Sequence, residues 1–114
     1  MKVHLALVFA IASLTSFAHA ASPIDCAKAA NATERTVCRT PSLLQADARM
    51  SAYFEIATGF VGMGVRGNLE DSQEAFPAVR NKCGTNKACI LAAYKKQMTP
   101  LEAVIENVKT HGPF

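Results

Sequence analysis

The chain has 114 residues, half of them hydrophobic, with four cysteines, no tryptophan and a formal net charge of +3. That length supports one small domain and excludes two. The near-neutral balance argues against a nucleic-acid-binding groove, since Lys95-Lys96 is the only adjacent basic pair of the mature chain and no aromatic ladder accompanies it.

The first twenty residues read as a signal peptide: Lys2 supplies a basic start, an apolar run extends from Leu5 to Leu14, and Ala18-His19-Ala20 has the small-x-small form of a cleavage site. The apolar run is about half of what a bilayer-spanning helix needs, so a retained anchor is not expected. Cleavage near Ala20 leaves residues 21–114 as one domain, exported to a periplasmic or extracellular space, with a net charge of +2 once Lys2 is gone. Cys26, Cys38, Cys83 and Cys89 all lie in this mature part. An even count behind an export signal reads as two disulfides, which a thin core needs. Four cysteines allow three connectivities; pairing of sequence neighbours is favoured, and spacing alone does not decide. A four-cysteine zinc site is disfavoured by gaps of eleven and five residues, so no metal and no cofactor are expected.

Asn31-Ala32-Thr33-Glu34 is a capping box, which predicts a short helix over 32–39 with Val37 and Cys38 facing inward. After Thr40-Pro41, a second box at Ser42 and Gln45 opens a long helix. Its apolar stripe takes in Leu43, Ala46, Met50, Tyr53, Phe54, Ala57, Phe60 and Val61. Asp47 falls on or beside this stripe and is expected to pair with an arginine or a backbone amide. Gly59, Gly62, Gly64 and Gly67 then crowd into nine residues, each costing a helix roughly 1 kcal/mol relative to alanine, so 62–70 is expected to be a mobile loop. Asn68 should cap a third helix, with Glu70, Asp71 and Glu74 in its first turns and a kink or late start near Phe76 caused by Pro77. Gly84 and Asn86 mark a helix end and a new start between Cys83 and Cys89. The last helix carries Ile90, Leu91, Tyr94 and Met98 inward. It continues with Leu101, Val104, Ile105 and Val108 after a kink or restart at Thr99-Pro100. No alternating strand pattern occurs. The expected fold is all-α, about four helices stapled by disulfides and no sheet.

The chemistry-bearing residues are few. His111 is the one histidine of the mature chain, the serines at 22, 42, 51 and 72 sit in no nucleophile elbow, and the glycines match no phosphate-binding loop. Asp25 and Asp47 are the acids nearest apolar clusters, and both have simpler structural uses. The expectation is a protein that is not an enzyme.

Several residues together suggest a family. Asp25-Cys26-Ala27-Lys28-Ala29, Thr33-Glu34-Arg35-Thr36-Val37-Cys38, Leu43 and Leu44 with Asp47, Tyr53, Gln73, Phe76, Arg80, Cys83, Cys89 and Tyr94 form an ordered set spanning nearly the whole mature chain. This set resembles the LprI-like lysozyme inhibitor domain family. Phe76 stands where that family usually has tryptophan, and the glycine-rich stretch is atypical of it. The resemblance implies a small secreted helical module bridged Cys26–Cys38 and Cys83–Cys89. It also implies a protein partner, lysozyme in the first instance, with an envelope interaction or immunity role as the alternative. An inhibitor that fills a glycosidase cleft needs a protruding polar segment. On local composition, Arg66, Asn68, Glu70 and Asp71 are the candidate partner-binding residues, with Glu70, Asp71 and Glu74 as an acidic patch that steers a cationic partner.

Overall fold

The computed structural model describes residues 23–111, so the expected signal peptide lies outside the described residues. The chain enters on Asp25, whose carboxylate accepts from Ala27 N and caps a single 3-10 turn at Cys26–Lys28. Helix α1 follows at Ala32–Arg39. Its capping box forms: Glu34 N donates to Asn31 Oδ1 at 2.9 Å, and the Glu34 carboxylate reaches back one residue further than expected, to Ala30 N. Thr33 and Val37 face the core, and Cys38 is half-buried.

Helix α2, Pro41–Gly59, starts one residue ahead of the Ser42 box. Proline at the first position needs no amide partner there. Thr40 stands at the cap but gives no side-chain bond, because its hydroxyl donates to the Thr36 carbonyl at 2.7 Å. Leu43, Ala46, Met50, Phe54 and Ala57 are buried along one stripe, whereas Phe60, predicted inward, lies just past the helix end and is exposed.

The largest departure from the sequence reading is at the glycines. Residues 63–70 are helical, not a loop: α3 runs from Met63 to Asn81, and only Phe60, Val61 and Gly62 connect it to α2. Asn68 is therefore no cap, and Glu70, Asp71 and Glu74 sit beyond the first turn, where the helix dipole gives them little. The physical reason is tertiary. Leu69, Gln73, Phe76 and Arg80 recur at helical spacing and are all buried, and packing on this continuous face offsets the glycine penalties. Arg66 N donates to Gly62 O, and Arg66 Nε reaches back to the Thr58 carbonyl at 3.0 Å, tying the new helix to the end of the old one.

The helical assignment also passes through Pro77 in α3 and through Pro100 in α4, Lys87–His111, with no restart at Thr99. Both prolines are exposed, so neither ring intrudes on the packed face. The Thr99 hydroxyl bonds back to Lys95 O at 3.1 Å rather than opening a new helix. Between α3 and α4 the turn is as expected: Gly84 adopts φ +57°, and Asn86 Oδ1 accepts from Cys89 N at 2.9 Å. Positive φ is strained for residues with a Cβ, which is the use of glycine here.

The four helices, with no strand among the described residues, pack chiefly as α2 on α4, with α3 alongside α4 and α1 across one end. Met50, Phe54, Ile90, Tyr94 and Leu101 meet at the centre, all buried. Cys26–Cys38 and Cys83–Cys89 are both formed, and no free cysteine remains among the described residues. Each closes a short loop, worth roughly 2–3 kcal/mol by restricting the unfolded chain, the wider one slightly more. No described helix is long and apolar enough to cross a membrane.

Candidate functional site

Five polar side chains fall on the inward stripes: Thr33, Asp47, Ser51, Gln73 and Arg80. Four of them are used at once. Arg80, 4% exposed, sends Nη2 to Glu34 Oε1 at 3.3 Å and to Asn81 Oδ1 at 3.0 Å, while Nη1 lies 3.4 Å from the Tyr94 hydroxyl. Tyr94 donates to Asp47 Oδ1 at 2.9 Å, and the other Asp47 oxygen accepts from Ile24 N at 2.7 Å. Thr33 reaches the Asn81 carbonyl at 3.2 Å. Gln73 Oε1 accepts from Gln97 Nε2 at 3.2 Å. The resulting node joins the N-terminal lead-in to all four helices. Phe76 covers it, with its ring centroid 5.1 Å from that of Tyr94 and 5.9 Å from the Arg80 guanidinium carbon.

A cleft of about 240 Å³ opens onto this node, lined in part by Glu34, Asp47, Gln73 and Arg80. Its chemistry is largely committed. Both oxygens of Asp47 and both of Glu34 already accept hydrogen bonds. Burial, and then the charge of Asp47, pushes the Tyr94 phenol well above its ordinary value. A neutral phenol and two carboxylates with every oxygen engaged suit an internal clamp. No cluster of histidine, cysteine, aspartate and glutamate suited to a metal occurs among the described residues.

The direction of that shift predicts an alkaline response. With the folded phenol held protonated above the ordinary tyrosine pKa of about 10, the folded chain binds more protons than the unfolded chain once pH exceeds about 10. Stability contributed by this group is fully present below that pH and is lost as pH rises further. Urea midpoints measured from pH 9 to 11.5 should fall more steeply for the wild type than for Tyr94→Phe; parallel curves would show that Tyr94 does not set the slope.

At the opposite end the surface changes character. Four of the five exposed large apolar side chains among the described residues, Ile56, Phe60, Met63 and Val65, lie at the α2–α3 corner, with Phe60 52% and Met63 89% exposed. Phe60, Val61 and Val65 face Ala103, Val104 and Asn107 of α4 across a groove of about 340 Å³. A second groove on the other side of Ala103 is rimmed by Tyr53, Glu102, Glu106 and Lys109. Glu106 holds Lys109 at 2.7 Å and pushes its ammonium pKa up.

Charge separates along the same axis. The contacts of Ser72 with Gln97 and of Asp47 with Tyr94 align the helices, so residues 52–72 and 98–111 form one end and 23–51 with 73–97 the other. The corner end carries five carboxylates against Arg66 and Lys109, a formal −3, while the disulfide end carries nine basic groups against four acidic, a formal +5. The four residues singled out from the sequence, Arg66, Asn68, Glu70 and Asp71, are all exposed on the first half of α3 at the corner end. They share a helix surface instead of a protruding loop, and Arg66 is partly occupied by Thr58.

Sequence reasoning missed the apolar corner because the glycines drew attention to flexibility and away from Phe60, Met63 and Val65 between them. The signal was there, since three large apolar residues are unusual in a solvated connector. In comparisons with family models, curated proteins and solved structures, nothing matches the chain.

Proposed function

We propose that this chain is an exported, non-enzymatic binding module that acts as a lysozyme-inhibitor-like protein, occluding the cleft of a cell-wall glycosidase. The observation that carries the reading is the open corner: Phe60 and Met63 stand in solvent beside an apolar groove, on a scaffold whose buried polar groups are nearly all engaged with one another. Rigid scaffolds that leave such a patch uncovered use it for contact. The residue pattern that resembles the LprI-like family supports the choice of target. The signal-peptide pattern, cleaved near Ala20, and the two disulfides support a periplasmic or secreted location. Since 62–70 is not a loop, the corner itself is the element that enters the cleft, with Arg66, Asn68, Glu70 and Asp71 flanking it.

The test is to titrate the exported protein against lysozymes of several classes while following cell-wall hydrolysis. Saturable loss of activity at a fixed stoichiometry is expected. No binding to any class at micromolar protein would remove lysozyme as the target. That result would favour the second reading, an envelope interaction or immunity protein with a different protein partner, which the same exposed corner supports.

A further inference from the structure

We infer that the α2–α3 corner docks a basic amphipathic segment of its protein partner, an apolar side chain entering the groove between Phe60, Val65 and Val104 while flanking lysines or arginines meet the carboxylates around it. The inference rests on the reading of this chain as a binding module and specifies the partner's chemistry. Three observations converge. The groove walls are apolar, so the inserted group is apolar. Glu102 and Glu106 rim the adjoining groove across Ala103, Glu106 paired with Lys109, and Glu55 neighbours exposed Ile56 on α2, so the approach carries a net negative charge. The corner end as a whole carries −3 while the rest of the described chain carries +5, so a cationic partner is attracted to this end and repelled from the other. An acidic or neutral partner would gain no such orientation. A second copy offering its basic end would make a head-to-tail contact, which does not close and builds filaments.

The probes are two helical peptides of equal length and pattern, one of lysine and leucine, the other of glutamate and leucine, titrated by fluorescence anisotropy against the exported protein. The Lys/Leu peptide should bind and the Glu/Leu peptide should not. Met63→Ser, and separately Glu102→Gln with Glu106→Gln, should each weaken Lys/Leu binding about fivefold to tenfold, the first through the off-rate and the second through the on-rate. These side chains are exposed, so the variants should fold as the wild type does. Val79→Ser, which removes the one exposed large apolar side chain outside the corner among the described residues, should change nothing. Equal binding of the two peptides, no binding of either, or indifference to the corner variants overturns the inference. Wild-type self-association in sedimentation equilibrium, abolished by Met63→Ser, also overturns it and assigns the corner to a second copy. Lysozyme assays run on the same variants separate the two readings. Inhibition that survives the corner variants keeps the function and moves its site. Corner-dependent Lys/Leu binding without inhibition of any lysozyme keeps the docking chemistry and removes the target.

Discussion

Replacing Arg80 with Met is expected to lower the unfolding free energy by about 2–4 kcal/mol, although Met fills much of the same space. The loss has a named source. Arg80 is buried and pairs with Glu34, whose side chain keeps 20% of its exposure; without the guanidinium, Glu34 Oε1 and Asn81 Oδ1 lose these donors, and only the adjoining cleft offers water in exchange. The partial exposure of Glu34 places the value below that of a fully buried pair. Adding Glu34→Gln to Arg80→Met should recover part of the loss, because it removes the stranded charge. Urea unfolding of the single and double variants measures both. A single-variant loss under about 0.5 kcal/mol would mean that the node is ornamental and that α1 is held by the packing of Val37 and the Thr33–Asn81 contact.

The second large effect is in the apolar core. Phe54→Ala should cost roughly 3–5 kcal/mol, because Phe54 lies in the stripe of α2 that packs against α4 and leaves a cavity when truncated. Phe60→Ala, six residues on, should cost below about 1 kcal/mol, since half of that ring is already in water. The contrast is the informative quantity. Equal losses would show that the corner is packed and that its exposure is not available to a partner. A small loss at Phe54 would mean that the α2–α4 contact is not the core.

Where local chemistry and tertiary packing agree, the sequence is a sufficient guide. Asn31 and Glu34 can satisfy α1's first amides by themselves, and Gly84 with Asn86 can end one helix and begin another without help from distant residues. Those features, the all-α class and the two bridges are borne out. The expectation for Asp47 also holds: it accepts from a backbone amide, Ile24 N. It fails where packing overrides propensity. Gly64 and Gly67 argue for a loop on local grounds, but Leu69, Gln73, Phe76 and Arg80 form a buried face whose continuity propagates the helix back to Met63. The predicted Ser42 box does not open α2: Pro41 takes the first helical position and Thr40 stands at the cap, its hydroxyl bonded to Thr36. The polar node was half-visible. Asp47 stood out on an apolar stripe, whereas its Tyr94 partner, 47 positions away, is a contact that periodicity cannot locate. For Arg66, Asn68, Glu70 and Asp71, composition anticipated their exposure and missed their helical conformation.

Both disulfides sit at the end where α1 crosses and α3 turns into α4, while nothing covalent joins the α2–α3 corner to α4. Cys26–Cys38 ties the lead-in to α1 and Cys83–Cys89 ties the end of α3 to the start of α4, so neither closure restrains the corner. Local opening begins where few buried contacts resist it, and the corner, with four glycines between positions 59 and 67, is that place. The consequence is thermodynamic coupling between grip and order. A partner seated on Phe60 and Met63 restrains the segment that opens most readily, so part of its binding free energy goes into closing that segment, and amide exchange slows there first. A staple placed at the corner would remove that coupling by ordering the segment in advance.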